Sequence, residues 1–444
     1  MTAGCTSPAP APAPAPAPVA TPAPQPAAHP IYAAWVQLVP GGGAEVRVIN
    51  PAGCPAVIFN QRNGTPAQPE IPLRVRAQPD ADYPFFTCSL AIPPGTTQID
   101  LVAGHLGEPQ GTIVEHLPVP VPVPQRILVL GDTGCRISKY AVQACNDPKA
   151  WPFATVSKAA AALKPDLVLH LGDYHYREVA CPEGNAGCAG SPWGYNGAVW
   201  DADFFTPAAP LLAAAPWIVI RGNHEDCQRA GAGFERLLAP GSYDAAMPCH
   251  AHIDPYVVMA GRQAIAVWDN ASADDRTEDA ATVDKYTKDF AMLKGLGGAK
   301  HPLWLAGHRP IWAAVTGPLG VPIGGNINLI RAVGDLSALG NVSLQLSGHI
   351  HTFEAINYDG KVPPQIVAGH GGDNLDPTPL NLKGTIFQGS SGVHVKDGLS
   401  VGGFGFLMMT RTSKGWSIEL YDSDGTPKRT CTFASGRVDC PPVK

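Results

Sequence analysis

Five consecutive stretches decide the fold: RILVLGDTG (126–134), WPFATVSKAAAALKP (151–165), DLVLHLGDY (166–174), AVWDADFFTPAAPLLAA (198–214) and WIVIRGNHE (217–225). Apolar runs of strand length alternate with helix-compatible stretches, which predicts an α/β layer. Later runs, YVVMAG (256–261), QAIAVWDN (263–270), PLWLAGH (302–308), SLQLSGHIH (343–351), EAINY (354–358) and QIVAGHGG (365–372), have a helix-like interval from Asp279 to Leu296 among them. The chain closes on two more strand candidates, GFGFLMMT (403–410) and WSIELYD (416–422).

Upstream the rhythm changes. From about Ile31 to Leu117, short segments of strand character (AAWVQLV, AEVRVIN, PAVIFN, PLRVRA, FFTCSLAI, TQIDLVAG) are separated by Gly and Pro turn signals, the pattern of a small antiparallel β-sandwich. Pro8 to Pro26 is nearly alternating Pro and Ala, an extended spacer with nothing to bury. A second proline-rich link, Pro118 to Pro124, precedes the α/β region. The expected division is therefore a leader over 1–29, a β-sandwich over 30–120 and an α/β domain over 124–444.

Composition removes several classes of function. The chain has 444 residues, 45% of them hydrophobic, enough for a core in each of two or three domains. Thirty-one Lys and Arg against 37 Asp and Glu leave a net charge of -6, so no field holds nucleic acid. The longest nearly apolar stretch, Pro207 to Ile220, is too short for the ~20 residues of a membrane helix and is broken by prolines, so no transmembrane span is expected. Eleven cysteines include Cys5, which follows Thr2-Ala3-Gly4 and resembles the lipid acceptor of a bacterial lipoprotein, without the apolar h-region that should precede it. The other ten fall into five neighbouring couples, 54/88, 135/145, 181/188, 227/249 and 431/440, with no C-x-x-C motif, which predicts disulfides in an oxidising compartment and sequential pairing. The expected location is outside the cytoplasm: periplasmic, secreted, or held at the cell surface through Cys5.

Chemistry collects at the strand ends. Asp132, Asp173, Asn223 with His224, His308, and His349 with His351 all stand where an apolar run gives out, and a glycine precedes Asp132, Asp173, Asn223, His308 and His349, as tight turns at a sheet edge would require. Singly, an Asp after a strand is most often a turn or a cap, and a lone His a core residue. Together, with no G-x-S-x-G nucleophile elbow and no Walker-type loop, they form a carboxylate, amide and imidazole set suited to hard or borderline metals.

The ordered set GDTG, GDYHY, GNHE, GH and GHIH, from Gly131 to His351, resembles the calcineurin-like metallophosphoesterase superfamily, and within it the purple acid phosphatases, whose motifs read GDxG, GDxxY, GNH(D/E), xxxH and GHxH. The resemblance implies an α/β (α+β) catalytic domain of four layers behind an N-terminal all-β sandwich. Most of the superfamily carries D-x-H in the first motif; here the third position is Gly134, and Tyr176 of GDxxY stands in for the missing histidine. The Ser/Thr protein phosphatase signatures GDxHG and GDxVDRG do not occur.

Carried over residue by residue, the resemblance implies one metal on Asp132, Tyr176 and His351, a second on Asn223, His308 and His349, and Asp173 bridging both. The implied cofactor is Fe(III) paired with Fe(II), Zn or Mn. Two cations about 3.5 to 4 Å apart supply a hydroxide near neutral pH and stabilise an in-line displacement, with His224 as general acid. The implied activity is an exported acid phosphatase hydrolysing small phosphate monoesters by attack of a metal-bound hydroxide; the alternative is a phosphodiesterase or nucleotidase with the same centre. A binding module that has lost turnover is the reading of a different class, and the complete ligand set argues against it. His175, Arg309 and His370 are further candidates for touching the phosphate, Glu225 for orienting His224 or capping the segment after it, and His170, His250 and His252 are expected to be structural.

Overall fold

A computed structural model describes residues 32–61, 69–103, 112–296, 302–387 and 392–442. The Pro/Ala-rich leader and Cys5 lie outside these.

The alternation of runs becomes two large sheets packed face to face. In the first, strands Arg126–Leu130, Leu167–His170 and Trp217–Val219 are parallel neighbours. The second holds Gln263–Trp268, Leu303–Gly307, Val342–Ser347 and Gln365–Ala368 in parallel, with Phe353–Tyr358 antiparallel at the side of the last. The strand sequences are apolar throughout because both faces are covered. Ile127 and Val129 meet Ile265, Val267 and Trp304 between the sheets. Leu128 and Leu130, one residue out of phase, instead meet Phe153 and Val156 of helix Phe153–Ala162. On the second sheet, Ala264, Ala266 and Trp268 face Tyr286 and Phe290 of helix Ala280–Leu296. The Asp279 carboxylate accepts Thr282 N–H at 2.8 Å and caps that helix.

The C-terminal strand candidates form a hairpin, Gly405–Thr412 and Gly415–Asp422, whose first arm pairs with Arg126–Leu130. The N-terminal region is β-rich, as its segments predict. Ala56–Gln61 and Thr96–Ala103 belong to a four-stranded sheet. Ala33–Val39, Gly43–Asn50, Arg74–Ala77 and Phe86–Ala91 instead extend the first large sheet, joined to it where Gln37 pairs with Trp217. All five sequential disulfides are present. Among the described residues no helix is long and apolar enough to cross a membrane.

The stretch 198–214, expected as one helix, is Gly197–Trp200 and Thr206–Leu212 separated by a π-helical turn, Asp201–Phe205. The widened turn aims Asp203 inward, with consequences for the site.

Candidate metal centre

Because the two sheets pack with their strands' C-terminal ends on the same side, the residues just past those ends converge. Asp132, Asp173 and Asn223 follow three neighbouring strands of the first sheet; His308, His349 and His351 follow two neighbouring strands of the second. Asp132, Asp173 and His349 have left-handed backbones, with φ of 57°, 59° and 69°. Such conformations cost a non-glycine residue about 1–3 kcal/mol and persist only where the surroundings impose them. Of the five preceding glycines, only Gly172 itself has a positive φ, 96°. The others serve by having no side chain: a Cβ on Gly222 would collide with the Asp173 carboxylate, and one on Gly348 would stand 2.5 Å from Asp132 Oδ2. Close approach, more than turn geometry, is what glycine supplies here.

The seven expected ligands form two groups sharing Asp173. In the first, the Tyr176 hydroxyl lies 3.2 Å from Asp132 Oδ1, 2.8 Å from Asp173 Oδ2 and 3.3 Å from His351 Nε2. His351 Nε2 is 3.2 Å from Asp132 Oδ1. In the second, His308 Nε2 is 3.2 Å from Asp173 Oδ2 and 3.0 Å from Asn223 Oδ1. Asp173, His308 and His349 each offer a ligand atom, all within 4.8 Å of one another. The far ring nitrogens are tied back, as metal-binding imidazoles usually are: His308 Nδ1 to Leu171 O at 2.8 Å, His351 Nδ1 to Asn374 O at 2.5 Å, His349 Nε2 to Asp275 at 2.8 Å.

Electrostatics fits cations. Asp132 and Asp173 are fully buried side by side, an arrangement that needs compensating positive charge. Burial pushes imidazoles down, yet Asp173 and Asp132 lift His308 to about 9. Asp373 and Asp132 likewise lift His351, against burial, to about 10. Burial would raise Asp173, but His308 and then His224 hold it well below the usual carboxylate range. The buried carboxylates therefore draw positive charge to His308 and His351, where a bound cation would take the proton's place, and oxygen and nitrogen donors of this kind suit iron, zinc or manganese.

Tyr176 also explains Gly134. A Cβ there would stand 2.6 Å from Tyr174 O and 2.8 Å from Tyr176 Cδ2, so the tyrosine ring fills the space that a third-position side chain would need. The Arg136 guanidinium covers that ring, 4.7 Å from its centroid, and pairs with Asp373.

One supporting acid had no motif to announce it. Asp203, from the π turn, accepts Tyr176 N–H at 2.8 Å, Arg177 N–H at 3.1 Å and Cys135 N–H at 3.1 Å, fixing the first two metal loops together. Glu225 does more than the expected orienting or capping: it accepts N–H groups of Asp173, Tyr174, His175 and Gly222 at 2.8–3.1 Å. Burial and the Asp173 charge push its carboxyl up to about 8, while those donors pull it down. The His224 ring lies 3.8 Å from that of Tyr176, tilted by 39°, and meets Glu178 at 3.1 Å and Arg229 at 2.7 Å. Burial, opposed by Asp173 and Glu178, pushes its pKa down to about 3.

A cavity of about 600 Å³ opens over the centre, with Arg136, Asp173, Asn223, His224, His349 and His351 in its wall. His175, Arg309 and His370 are not in that wall. His175 bonds Gly194 O, Arg309 pairs with Asp275, and His370 is buried beside Phe353. His170 stacks on Tyr174 at 4.0 Å and bonds Thr133, and His250 meets Glu235. A second group that could hold a cation, His252, Asp254 and Asp289, shares no residue with the first. Asp289 there is engaged by Trp268 Nε1 at 2.8 Å and His252 Nε2 at 3.0 Å.

Residues 125–353 match the family model for calcineurin-like phosphoesterases. Comparison with curated proteins returns no match. Among solved structures, a purple acid phosphatase, PPD1, from seeds of yellow lupin (Lupinus luteus) is similar at 15% identity and a TM-score of 0.58, over 89% of this chain and 73% of that one. PhoD is similar at 12% identity and a TM-score of 0.54, over 95% and 94%. At such identities the likeness is one of fold. The family model covers just over half of the chain and takes in the motifs from Asp132 to His351 that meet beneath the cavity, so this chain belongs to the calcineurin-like phosphoesterase family.

Proposed function

We propose that this metal-dependent hydrolase is a phosphomonoesterase of the purple acid phosphatase type. Asp132, Tyr176 and His351 would hold a ferric ion, Asn223, His308 and His349 a divalent iron, zinc or manganese, and Asp173 both. The observation that carries the reading is the Tyr176 hydroxyl within 3.3 Å of Asp132, Asp173 and His351, above a glycine whose missing side chain makes room for the ring. When bound, the cation pair supplies a water of lowered pKa and polarises the phosphoryl oxygen. His224 faces the same cavity, positioned to meet the phosphate and to hand a proton to the departing oxygen. Burial favours its neutral form, and a phosphate dianion beside it would favour the protonated form that an acid needs.

Helices outside two stacked sheets support the four-layer reading of the catalytic region at 124–444, with a β-sandwich region before it at 30–120. Five disulfides support export to an oxidising compartment, where Cys5 would serve as a lipid anchor.

Elemental analysis and an absorption spectrum of purified protein test the proposal, together with turnover of p-nitrophenyl phosphate and bis(p-nitrophenyl) phosphate. The expectation is iron, a broad visible band lost in Tyr176→Phe, and faster monoester than diester hydrolysis. Absence of turnover at every pH with saturating metal overturns the reading. Faster diester cleavage transfers the function to the diesterase class.

A further inference from the structure

The cavity over the metal centre is chemically lopsided. Part of its wall is apolar, made by Pro310, Ala313, Val315, Ile323 and Ile350, and Asp275, Arg276, Asn326 and Asp376 line it as well. Val315 and Ile323 are directly opposed in the antiparallel pair Ala314–Thr316 and Pro322–Gly324, and Ile323 is opposite Ile386 on the next strand. Opposed residues project from the same face of a sheet, so Val315, Ile323 and Ile386 form one apolar ladder. The ladder starts in the cavity and ends in solvent, where Ile386 is 63% exposed.

The polar residues beside this wall are already engaged. Asn326 caps Leu329 N–H with its oxygen and donates to Ala273 O and Asp275. Asp275 is held by His349 and Arg309, and Asp376 accepts His351 N–H. Arg276, exposed at the rim, is the exception. A sugar or nucleoside laid on Val315 and Ile323 would leave hydroxyls facing carbon, at a cost for each one stripped of water. An alkyl or aryl group would gain from burial.

Resting on the phosphoesterase reading, we propose that the substrate is a phosphate ester whose leaving alcohol is apolar, laid along the Val315–Ile323–Ile386 ladder. In the reaction water adds to phosphorus, the phosphorus–oxygen bond to the alcohol breaks, and the alcohol departs carrying a proton.

The test uses the full-length, metal-loaded protein and straight-chain alkyl phosphates from ethyl to octyl, whose alcohols have nearly the same acidity, so chain length changes only binding. kcat/KM should rise by about fourfold per methylene until the ladder is covered, and propyl phosphate should outrun glycerol 3-phosphate. Alkylphosphonates of the same lengths, titrated calorimetrically, should show the same slope in Kd without any turnover. Ile323→Asn and Val315→Asn should flatten both series, while Ile323→Leu keeps them. A flat series, or preference for glycerol 3-phosphate, overturns the proposal and leaves the phosphoesterase reading intact. Length-dependent phosphonate binding with no hydrolysis of any ester overturns the phosphoesterase reading and the substrate role together, and leaves the ladder as an apolar binding surface only.

Discussion

Asp275 holds His349 by its Nε2, leaving Nδ1 as the nitrogen that can turn toward Asp173 and His308. The carboxylate sits far below the usual range because His349 and Arg309, against burial, favour its charge. Asp275→Asn keeps the shape and removes the charge, so metal affinity should fall by about 10- to 100-fold, measured by competition with a chelator; an unchanged affinity would show that Asp275 serves Arg309 alone. Gly134→Ala tests the neighbouring pocket. Its methyl meets the Tyr176 ring and Tyr174 O, and overpacking of this kind costs about 1–3 kcal/mol. The expected outcome is a lowered Tm with a weakened or shifted visible band. A variant with an unaltered spectrum would mean that the ring does not depend on this gap.

At the scale of strands and loops, the sequence was informative where one short segment carries its own meaning. Asp132 and Asp173 follow apolar runs and a glycine, and GHIH brings two imidazoles to one strand end, so the convergence of 126–351 was legible from the run-and-motif pattern. Asp203 and Asp275 were not, because each acts across long separations through bonds to backbone or ring atoms, and a lone acid in a loop looks like any other; Glu225 was singled out within GNHE, but not its hold on the Asp173 loop. The π turn that delivers Asp203 has no compositional mark either, since DADFF is acceptable to an ordinary helix. The pairing of Gln37 with Trp217, which fuses the N-terminal strands to the central sheet, was hidden for the same reason: one ladder position leaves no pattern. Strand Phe353–Tyr358 carries a further consequence of burial. Glu354 is wholly enclosed and, among the described residues, bonds only Ala314 N–H through Oε2, with no such partner for Oε1. Burial, opposed by that bond, raises its pKa from 4.5 to about 8. The folded state therefore keeps a proton that the unfolded chain releases, and its contribution to stability is complete below pH 4.5 and lost as pH rises to about 8, by up to about 1.4 kcal/mol per pH unit. Glu354→Gln, always neutral, should gain Tm over the parent progressively between those limits and hold a constant lead above pH 8. A lead that does not vary with pH would show that the carboxyl is ionised in the folded protein throughout.

The whole molecule is knit by a seam between the N-terminal strands and the helices that support the metal loops. Trp35, Ile49, Tyr83 and Phe85 lie in one core with Phe153, Trp200, Phe204, Phe205 and Phe234. Trp35 packs 5.4 Å from Phe205, which closes the same π turn that carries Asp203. Arg47, fully buried, donates to Leu237 O at 2.8 Å and Ala239 O at 2.9 Å, capping the end of helix Gly231–Leu237 from the N-terminal side. The seam and the site are joined by contiguous contacts: Trp35 to Phe205, through the turn to Asp203, and from Asp203 to Tyr176 N–H. Trp35→Ala should cost about 3–5 kcal/mol as a cavity opens, and its effect should reach the metals, with lower metal content after dialysis than in a variant of equal Tm placed in the C-terminal hairpin. In calorimetry the parent should unfold in one transition that releases metal and melts both regions together. Two separated transitions, the first melting the N-terminal strands while metal and turnover survive, would mean that the shared core is contact without coupling and that the catalytic region stands alone.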